Sequence, residues 1–335
     1  MENLVYQYAK DHELVAGICD AKRLVPPVDI GKIATPFTES NKEMRLDPLR
    51  IMPSAKSIIV IGMGYNKKDN FRHDNEIRGI ISKGAIGLDY HKRLKEHLLA
   101  IGNLIENAGG SYEIFVDTGP LIERELAKKA GIGFQGKNCL IINEKLGSFF
   151  YIGHMLTDIG LKFSKPVNTE DILCNTCDRC IKACPGKALS EGYKFSYETC
   201  VSYLTQKKEK LTEKEMEIMG RSIYGCDICQ NVCPYNKGKY AEEIKDIDLR
   251  FPRIENFIGL NNKEFKETYG NTSAFWRGRS ILTRNALIAA GNSGDEKALE
   301  FLENMLKSPS ENARYAAQYS VNKLKLKYLP LNNCK

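Results

Sequence analysis

The sequence predicts a chain of mixed α+β and α/β class in three parts. These are an N-terminal α/β domain over residues 1–162, a cysteine-built module over 163–240, and an α-helical domain over 241–335. Three observations predict it. Short apolar runs alternate with helical periodicity through the first half. Eight cysteines crowd into residues 174–233. Beyond Ser280 the apolar spacing is helical, interrupted only by short Gly, Asn, Ser and Pro breaks.

Length and composition leave room for that organisation. A chain of 335 residues holds two or three domains, each able to bury its own core. Its 42% hydrophobic and 27% charged content is ordinary for a globular protein. The opening Met1-Glu-Asn-Leu-Val-Tyr has no basic stretch followed by an apolar one. The most apolar run, Ile58 to Met63, is strand-sized rather than membrane-sized. These features predict a cytoplasmic protein that does not engage a membrane. Forty-nine basic against forty-two acidic residues leave a net charge of +7, which permits contact with polyanions without indicating it.

In chain order, residues 1 to about 55 read as a helix followed by irregular chain. Lys56-Ser-Ile-Ile-Val-Ile-Gly-Met-Gly64 is a short apolar run ending in glycine, hence a buried strand. Its Gly62-x-Gly64 lacks the third glycine of a dinucleotide fingerprint. Residues 66–88 are polar and loop-like. Tyr90 to Ala108 places Leu94, Leu98, Ile101, Leu104 and Ile105 on one helical face, with Asp89 as its N-cap. The strand-like Tyr112 to Val116 then runs into Asp117-Thr-Gly-Pro120. Pro120 suits the first position of a helix that ends at Gly131. Asp117 is therefore expected where a strand gives way to a helix, the edge at which open α/β sheets collect ligands. Helix capping by Asp117 or Thr118 is the plainer reading.

Gly131-Ile-Gly133-Phe-Gln-Gly136 matches G-x-G-x-x-G, but it follows a helix and precedes the strand-like Cys139-Leu-Ile-Ile. That context is wrong for a dinucleotide site. A tight loop is expected instead, leaving Lys137 and Asn138 near the sheet edge. Phe149 to Leu156 is a further strand.

The cysteine module follows. Cys174-Asn-Thr-Cys177-Asp-Arg-Cys180-Ile-Lys-Ala-Cys184-Pro185 is C-x2-C-x2-C-x3-C-P, the run that binds iron–sulfur clusters. Cys226-Asp-Ile-Cys229-Gln-Asn-Val-Cys233-Pro234 repeats it with one cysteine missing, and Cys200 between the runs can supply the absent ligand. Eight thiolates suffice for two [4Fe-4S] clusters. In two-cluster ferredoxins the fourth cysteine of each run serves the other cluster. Cluster one then takes Cys174, Cys177, Cys180 and Cys233, and cluster two takes Cys184, Cys200, Cys226 and Cys229. Paired zinc sites are the rival, since thiolates suit zinc too, but the doubled C-P ending favours iron–sulfur. Cys19, Cys139 and Cys334 have no assigned partner and are read as structural or incidental.

In the tail, Arg284-Asn-Ala-Leu-Ile-Ala-Ala recurs loosely as Arg314-Tyr-Ala-Ala-Gln-Tyr-Ser. This predicts a HEAT-like helical repeat, with a simple helical cap as the alternative. Arg277, Arg279 and Arg284 cluster beside Phe275 and Trp276. They form either a solvated basic face or a phosphate-contacting patch.

Taken together, Asp89-Tyr-His91, Asp117-Thr-Gly-Pro, Ala130-Gly-Ile-Gly-Phe-Gln-Gly-Lys-Asn138, Cys200-Val-Ser-Tyr-Leu-Thr205, Gly225-Cys-Asp-Ile-Cys-Gln-Asn-Val-Cys-Pro-Tyr-Asn236, Arg284-Asn-Ala and the complete cysteine set resemble the epoxyqueuosine reductases. These are cobalamin- and iron–sulfur-dependent enzymes of tRNA queuosine synthesis. The similarity runs from about Leu46 to Asn292. It implies a cobalamin-binding α/β domain, with the corrinoid held between that domain and the clusters, and a tRNA substrate held by the helical tail through Arg277, Arg279 and Arg284. It also implies an external low-potential electron donor and a route through both clusters to low-valent cobalt, cob(I)alamin, which drives removal of the epoxide oxygen of epoxyqueuosine. By the same resemblance Asp117 is the proton donor. Ser82, Asp117, Asn138, Ile141, Ile152 and Ser202 are the expected cobalamin contacts. A proton-donating Asp117 needs a carboxylic acid kept protonated near neutral pH, which a desolvated pocket would provide. The chain is expected to act as a monomer.

Two other readings compete. One is a related corrinoid and iron–sulfur reductase, reductive dehalogenase-like, acting on a small molecule. The other is a non-enzymatic electron carrier, against which stands an α/β domain of about 160 residues that electron transfer alone does not require.

Overall fold

A computed structural model of the chain describes residues 1–26, 34–69, 74–170, 172–240, 242–244 and 246–328. Cys334 lies outside them. Helix α1 (Glu2–Asp11) leads into strand β1 (Leu14–Asp20), and β2 (Ser57–Gly64) follows. Next come helix α2 (Tyr90–Asn107), β3 (Tyr112–Val116), helix α3 (Glu123–Lys129) and β4 (Phe150–Thr157). The strands form one sheet in the order β1-β2-β4-β3. Every pairing is antiparallel, with Leu14 opposite Met63, Ser57 opposite Thr157 and Tyr112 opposite Thr157 at the ends.

The pairing is antiparallel throughout, although strands and helices alternate along the chain as the α/β reading expects. Ile58, Ile59, Val60 and Ile61 are all fully buried, because both sheet faces are covered. Ile59, Ile61 and Met63 pack under α1 and α2, against Val5, Leu94, Leu98 and Ile101. Ile58 and Val60 pack with Leu126 and Ala127 of α3. A continuous apolar run usually marks a parallel sheet, yet here it records only the two covered faces. With antiparallel neighbours no single edge collects all the strand ends, so the ligand-edge argument for Asp117 does not apply. Strand β1 was not foreseen. Its Gly17 is required by close approach, since a Cβ there would sit 1.9 Å from the carbonyl oxygen of Ala130.

Asp89 caps α2 as expected, its carboxylate accepting from His91 N–H at 3.0 Å. Pro120 does not open α3. That helix begins at Glu123, whose carboxylate accepts from the Asp117 N–H at 2.9 Å and so ties the intervening turn down. The glycine-rich segment forms a small hairpin, Phe134–Gln135 against Ile141–Ile142. Lys137, Asn138 and Cys139 sit at its tip rather than along the main sheet.

The cysteine module is mostly loop, held by short helices at Arg179–Ala183, Val201–Leu204 and Ile228–Asn231. After three short helices, Ile247–Arg250, Ile254–Gly259 and Asn262–Tyr269, the tail continues with α4 (Gly278–Ser293), α5 (Ala298–Met305) and α6 (Glu311–Tyr328). Eleven consecutive residues of α4, Ile281 to Gly291, are buried. Leu282 and Ala286 to Ala290 share one apolar core with Ile81, Leu204, Met216, Ile223 and Phe257, a core that crosses the expected boundary at residue 240.

Polar contacts stitch the same seam. Asp227 and Arg250, each side chain 4% exposed, pair at 2.9 Å, and the same Asp227 oxygen accepts the Lys83 N–H at 2.9 Å. Asn285, fully buried, donates to the carbonyls of Thr205 at 2.7 Å and Ile223 at 2.8 Å. Its side-chain oxygen accepts from Arg284 Nε and Nη2. Replacing Asn285 with Ala strands two carbonyls and a guanidinium, and should cost roughly 2–3 kcal/mol. Urea unfolding should show a lower midpoint at unchanged slope; an unaltered midpoint would contradict this stitching.

Candidate redox and proton-transfer site

The eight cysteines gather as two quartets. Cys174, Cys177, Cys180 and Cys233 line one tight cavity. Cys184, Cys200, Cys226 and Cys229 line a second, of about 300 Å³. Each quartet surrounds a cavity. That suits a four-iron cluster, which spreads its thiolates around a cube. Backbone donors already face the sulfurs. Lys137 N–H points to Cys174 Sγ and Ala188 N–H to Cys184 Sγ, each at 3.3 Å. Burial pushes the Cys226 thiol up to about 12 and Cys180 to about 11, so ionisation there depends on a metal taking the proton's place. Cys19 is buried in β1, apart from both quartets, whereas Cys139, at the hairpin tip, lines the second cavity alongside Cys184, Cys200, Cys226 and Cys229.

Asn138 lines both cavities. Its Oδ1 accepts from Leu140 N–H at 3.2 Å, while its buried Nδ2 has no protein partner. An unpaired buried donor beside a cavity is what a bound polar group would satisfy. Ser82 and Ser202 line the second cavity with it. Ile141 is 3% exposed and Ile152 half-buried in the sheet-side core, and neither lines that cavity. Of the expected corrinoid contacts, three therefore converge with the second quartet, and two lie in the apolar layer beneath.

Asp117 ends β3 with φ at +58°, a left-handed conformation that aspartate tolerates better than most residues. Its Oδ2 accepts from Tyr90 Oη at 2.7 Å and lies 3.6 Å from His91 Nε2. His91 Nδ1 is 2.7 Å from Asp89 Oδ1. This arrangement does not supply the desolvated pocket expected to keep the acid protonated. The Asp117 side chain is 61% exposed, and His91 and Tyr90 beside it lower its pKa instead of raising it. Asp117 first, and then Asp89, raise the His91 imidazole to about 8. Burial and the Asp117 carboxylate push Tyr90 up, so it remains a donor. His91, read from sequence as a helix-start residue, does occupy the first turn of α2 and also faces the acid. The Asp89-Tyr-His91 motif was the available signal.

A column of rings joins this proton site to the second cavity. His91 stacks on Tyr90 at 4.1 Å, Tyr90 on Tyr151 at 4.1 Å, and Tyr151 on Tyr65 at 4.2 Å. Tyr65 lines the cavity, and its hydroxyl accepts from Gln230 Nε2 at 3.3 Å, one residue past Cys229.

The three tail arginines separate. Arg284 is 2% exposed and bonded to Asn285 and the Glu209 carbonyl, so it is an interior residue and not part of any surface patch. Arg279 is tied to Asn262 and the Leu260 carbonyl. Arg277 stacks over the exposed Trp276 at 3.7 Å, with Phe37 at 4.9 Å. Trp276 Nε1 donates to Tyr224 Oη at 2.6 Å. No helix among the described residues is long and apolar enough to cross a membrane.

Comparison with known proteins converges on one family. The model described as "Epoxyqueuosine reductase QueG, DUF1730" matches residues 45–118, and "4Fe-4S double cluster binding domain" matches residues 173–236. An epoxyqueuosine reductase of Lactococcus garvieae is 36% identical over 301 residues, spanning 87% of this chain and 85% of its own. The structure of epoxyqueuosine reductase from Streptococcus thermophilus superposes with a TM-score of 0.89 at 32% identity, covering 97% of this chain and 90% of that one. A crystal structure of epoxyqueuosine reductase with a tRNA-Tyr epoxyqueuosine-modified stem loop gives 0.88 at 32% identity, over 96% and 90%.

Replacing Cys200 with Ala should halve the iron content, from about eight to about four atoms per chain. The paramagnetic signal of one reduced cluster should persist. Unchanged iron would remove Cys200 from the second quartet.

Proposed function

The chain belongs to the epoxyqueuosine reductase family, and on that premise we propose that it reduces the epoxide of epoxyqueuosine in tRNA to queuosine. The observation that carries the reading is one layout. Two thiol quartets, an unpaired Asn138 amide and the Asp117–His91 pair lie along one path, linked by stacked rings. Neither a dehalogenase-like enzyme nor an electron carrier is favoured by relatives of this extent.

In this reading Cys174, Cys177, Cys180 and Cys233 hold one [4Fe-4S] cluster, and Cys184, Cys200, Cys226 and Cys229 the other. Ser82, Asn138 and Ser202, which line the second cavity, would hold a cobalamin, with Ile141 and Ile152 supporting it from the apolar layer. The bound cobalamin supplies low-valent cobalt chemistry, fed by the clusters. The net change consumes two electrons and two protons and releases the epoxide oxygen as water.

The chain's own part is proton handling. An epoxide oxygen leaves poorly until protonated. At neutral pH the His91 imidazolium holds a proton at Nε2, facing Asp117 Oδ2. Asp117 relays that proton to the epoxide oxygen while Tyr90 fixes the carboxylate. Trp276 and Phe37, with Arg277 above the indole, offer flat faces on which splayed loop bases stack. The α4–α6 tail is read as a HEAT-like unit supporting that patch. Free thiol chemistry suits a monomer working in a reducing cytoplasm.

Asp117→Asn should keep both clusters and the corrinoid yet lose at least about a hundredfold in turnover of a modified stem loop. Near-normal turnover would remove it from the proton path. Wild-type turnover should fall as pH rises through about 8, where His91 loses its proton, and His91→Gln should abolish that limb of the profile. The same raised pKa stabilises the fold fully below the free imidazole value of about 6.5 and ceases to do so above about 8. Trp276→Ala should weaken stem-loop binding by roughly 1–3 kcal/mol, measured by titration. Unaltered affinity would move base recognition elsewhere.

A further inference from the structure

A larger cavity, of about 730 Å³, shares no lining residue with the one that holds Ser82, Asn138 and Ser202. Four cations line it, Lys83, Arg179, Lys182 and Lys237, and no carboxylate does among the described residues. Arg179, Lys182 and Lys237 are exposed at its mouth. Lys182 is paired with Asp178 at 2.7 Å, which trims its charge without placing an acid in the cavity wall. Lys83 is 7% exposed, with its Nζ 3.1 Å from Asn66 Oδ1. Cys233, a ligand of the first cluster in the reading above, forms part of the same wall.

We propose that this cationic cavity is the docking site for the electron donor, a small acidic protein carrying a one-electron flavin or iron–sulfur centre. The inference rests on the functional reading above, in which the second quartet faces the corrinoid. Electrons must then enter at the first cluster, and the Cys233 wall gives that cluster an edge facing a strongly positive opening. Opposite charge steers a transient partner to such an opening and orients it there, which matters more for encounter rate than for lasting affinity. Electron-transfer encounters bury little surface, so a lysine- and arginine-rimmed cavity suffices without a large apolar interface. Each encounter moves one electron. The carrier is oxidised by one, the first cluster is reduced by one, and two encounters supply one turnover.

The test uses the holoprotein with both clusters, under anaerobic stopped flow. Flavodoxin hydroquinone serves as the acidic carrier, and reduced methyl viologen, a small cation, as the control. Lys182→Glu with Lys237→Glu should slow cluster reduction by flavodoxin at least about tenfold at low salt and flatten its ionic-strength dependence. Reduction by methyl viologen, and iron content, should stay unchanged. The Lys182→Arg, Lys237→Arg variant should retain the wild-type rate. An unchanged flavodoxin rate, or an equal loss with both reductants, would overturn the proposal. Because bleaching of the clusters is read directly, either result leaves stem-loop turnover driven by a chemical reductant as a separate check on the epoxyqueuosine reductase reading.

Discussion

The Asp227 carboxylate holds the molecule's parts in register. It sits between Cys226 and Ile228, accepts the Lys83 N–H beside Ser82, and pairs with Arg250 on the way into the tail. Three segments far apart in sequence meet at one buried anion. Losing one member of a buried ion pair costs about 3–5 kcal/mol, because the other is left charged and dry. The cysteine module has few backbone ladders of its own, so its loops depend on such contacts and on the clusters to stay in place. The same residue thereby positions two cysteines of the second quartet against the wall that carries Ser82.

Under the proposed function that arrangement keeps electron delivery and proton delivery apart yet close. The hairpin tip reaches between the quartets and places Asn138 against both. On the other side of Tyr65, the stacked rings run to His91 and Asp117. Electrons and protons therefore approach from different elements. One route is built of loops and thiols, the other of the end of β3 and the first turn of α2.

The cysteine quartets were legible because their ligand spacing is local, and the split into two groups followed from the turn before each proline. Helix α2 was legible from its periodicity and its cap. What escaped depended on contacts distant in sequence. The edge strand β1 is defined by its seven-residue pairing with β2 and by the backbone that presses on Gly17. The sheet's direction was hidden because a strand buried on both faces reads alike in parallel and antiparallel settings. The protonation of Asp117 depends on Tyr90 and His91, which only folding brings to it. Arg284 looked like a surface cation, although the all-round apolar character of the residues after it, through Ala290, is the pattern of an enclosed helix.

The enclosure of α4 has a consequence for how such a chain can diversify. A helix packed on every side is not an appendage, and its core is shared with the loops that carry the thiols. Shuffling the tail as an exchangeable cassette would tear the cysteine module open. Change is tolerated instead in the exposed rim, at positions such as Phe37 and Trp276, which under the proposed function meet the substrate. In lineages descended from this architecture, the recognition surface is free to vary while the spine beneath it is inherited intact.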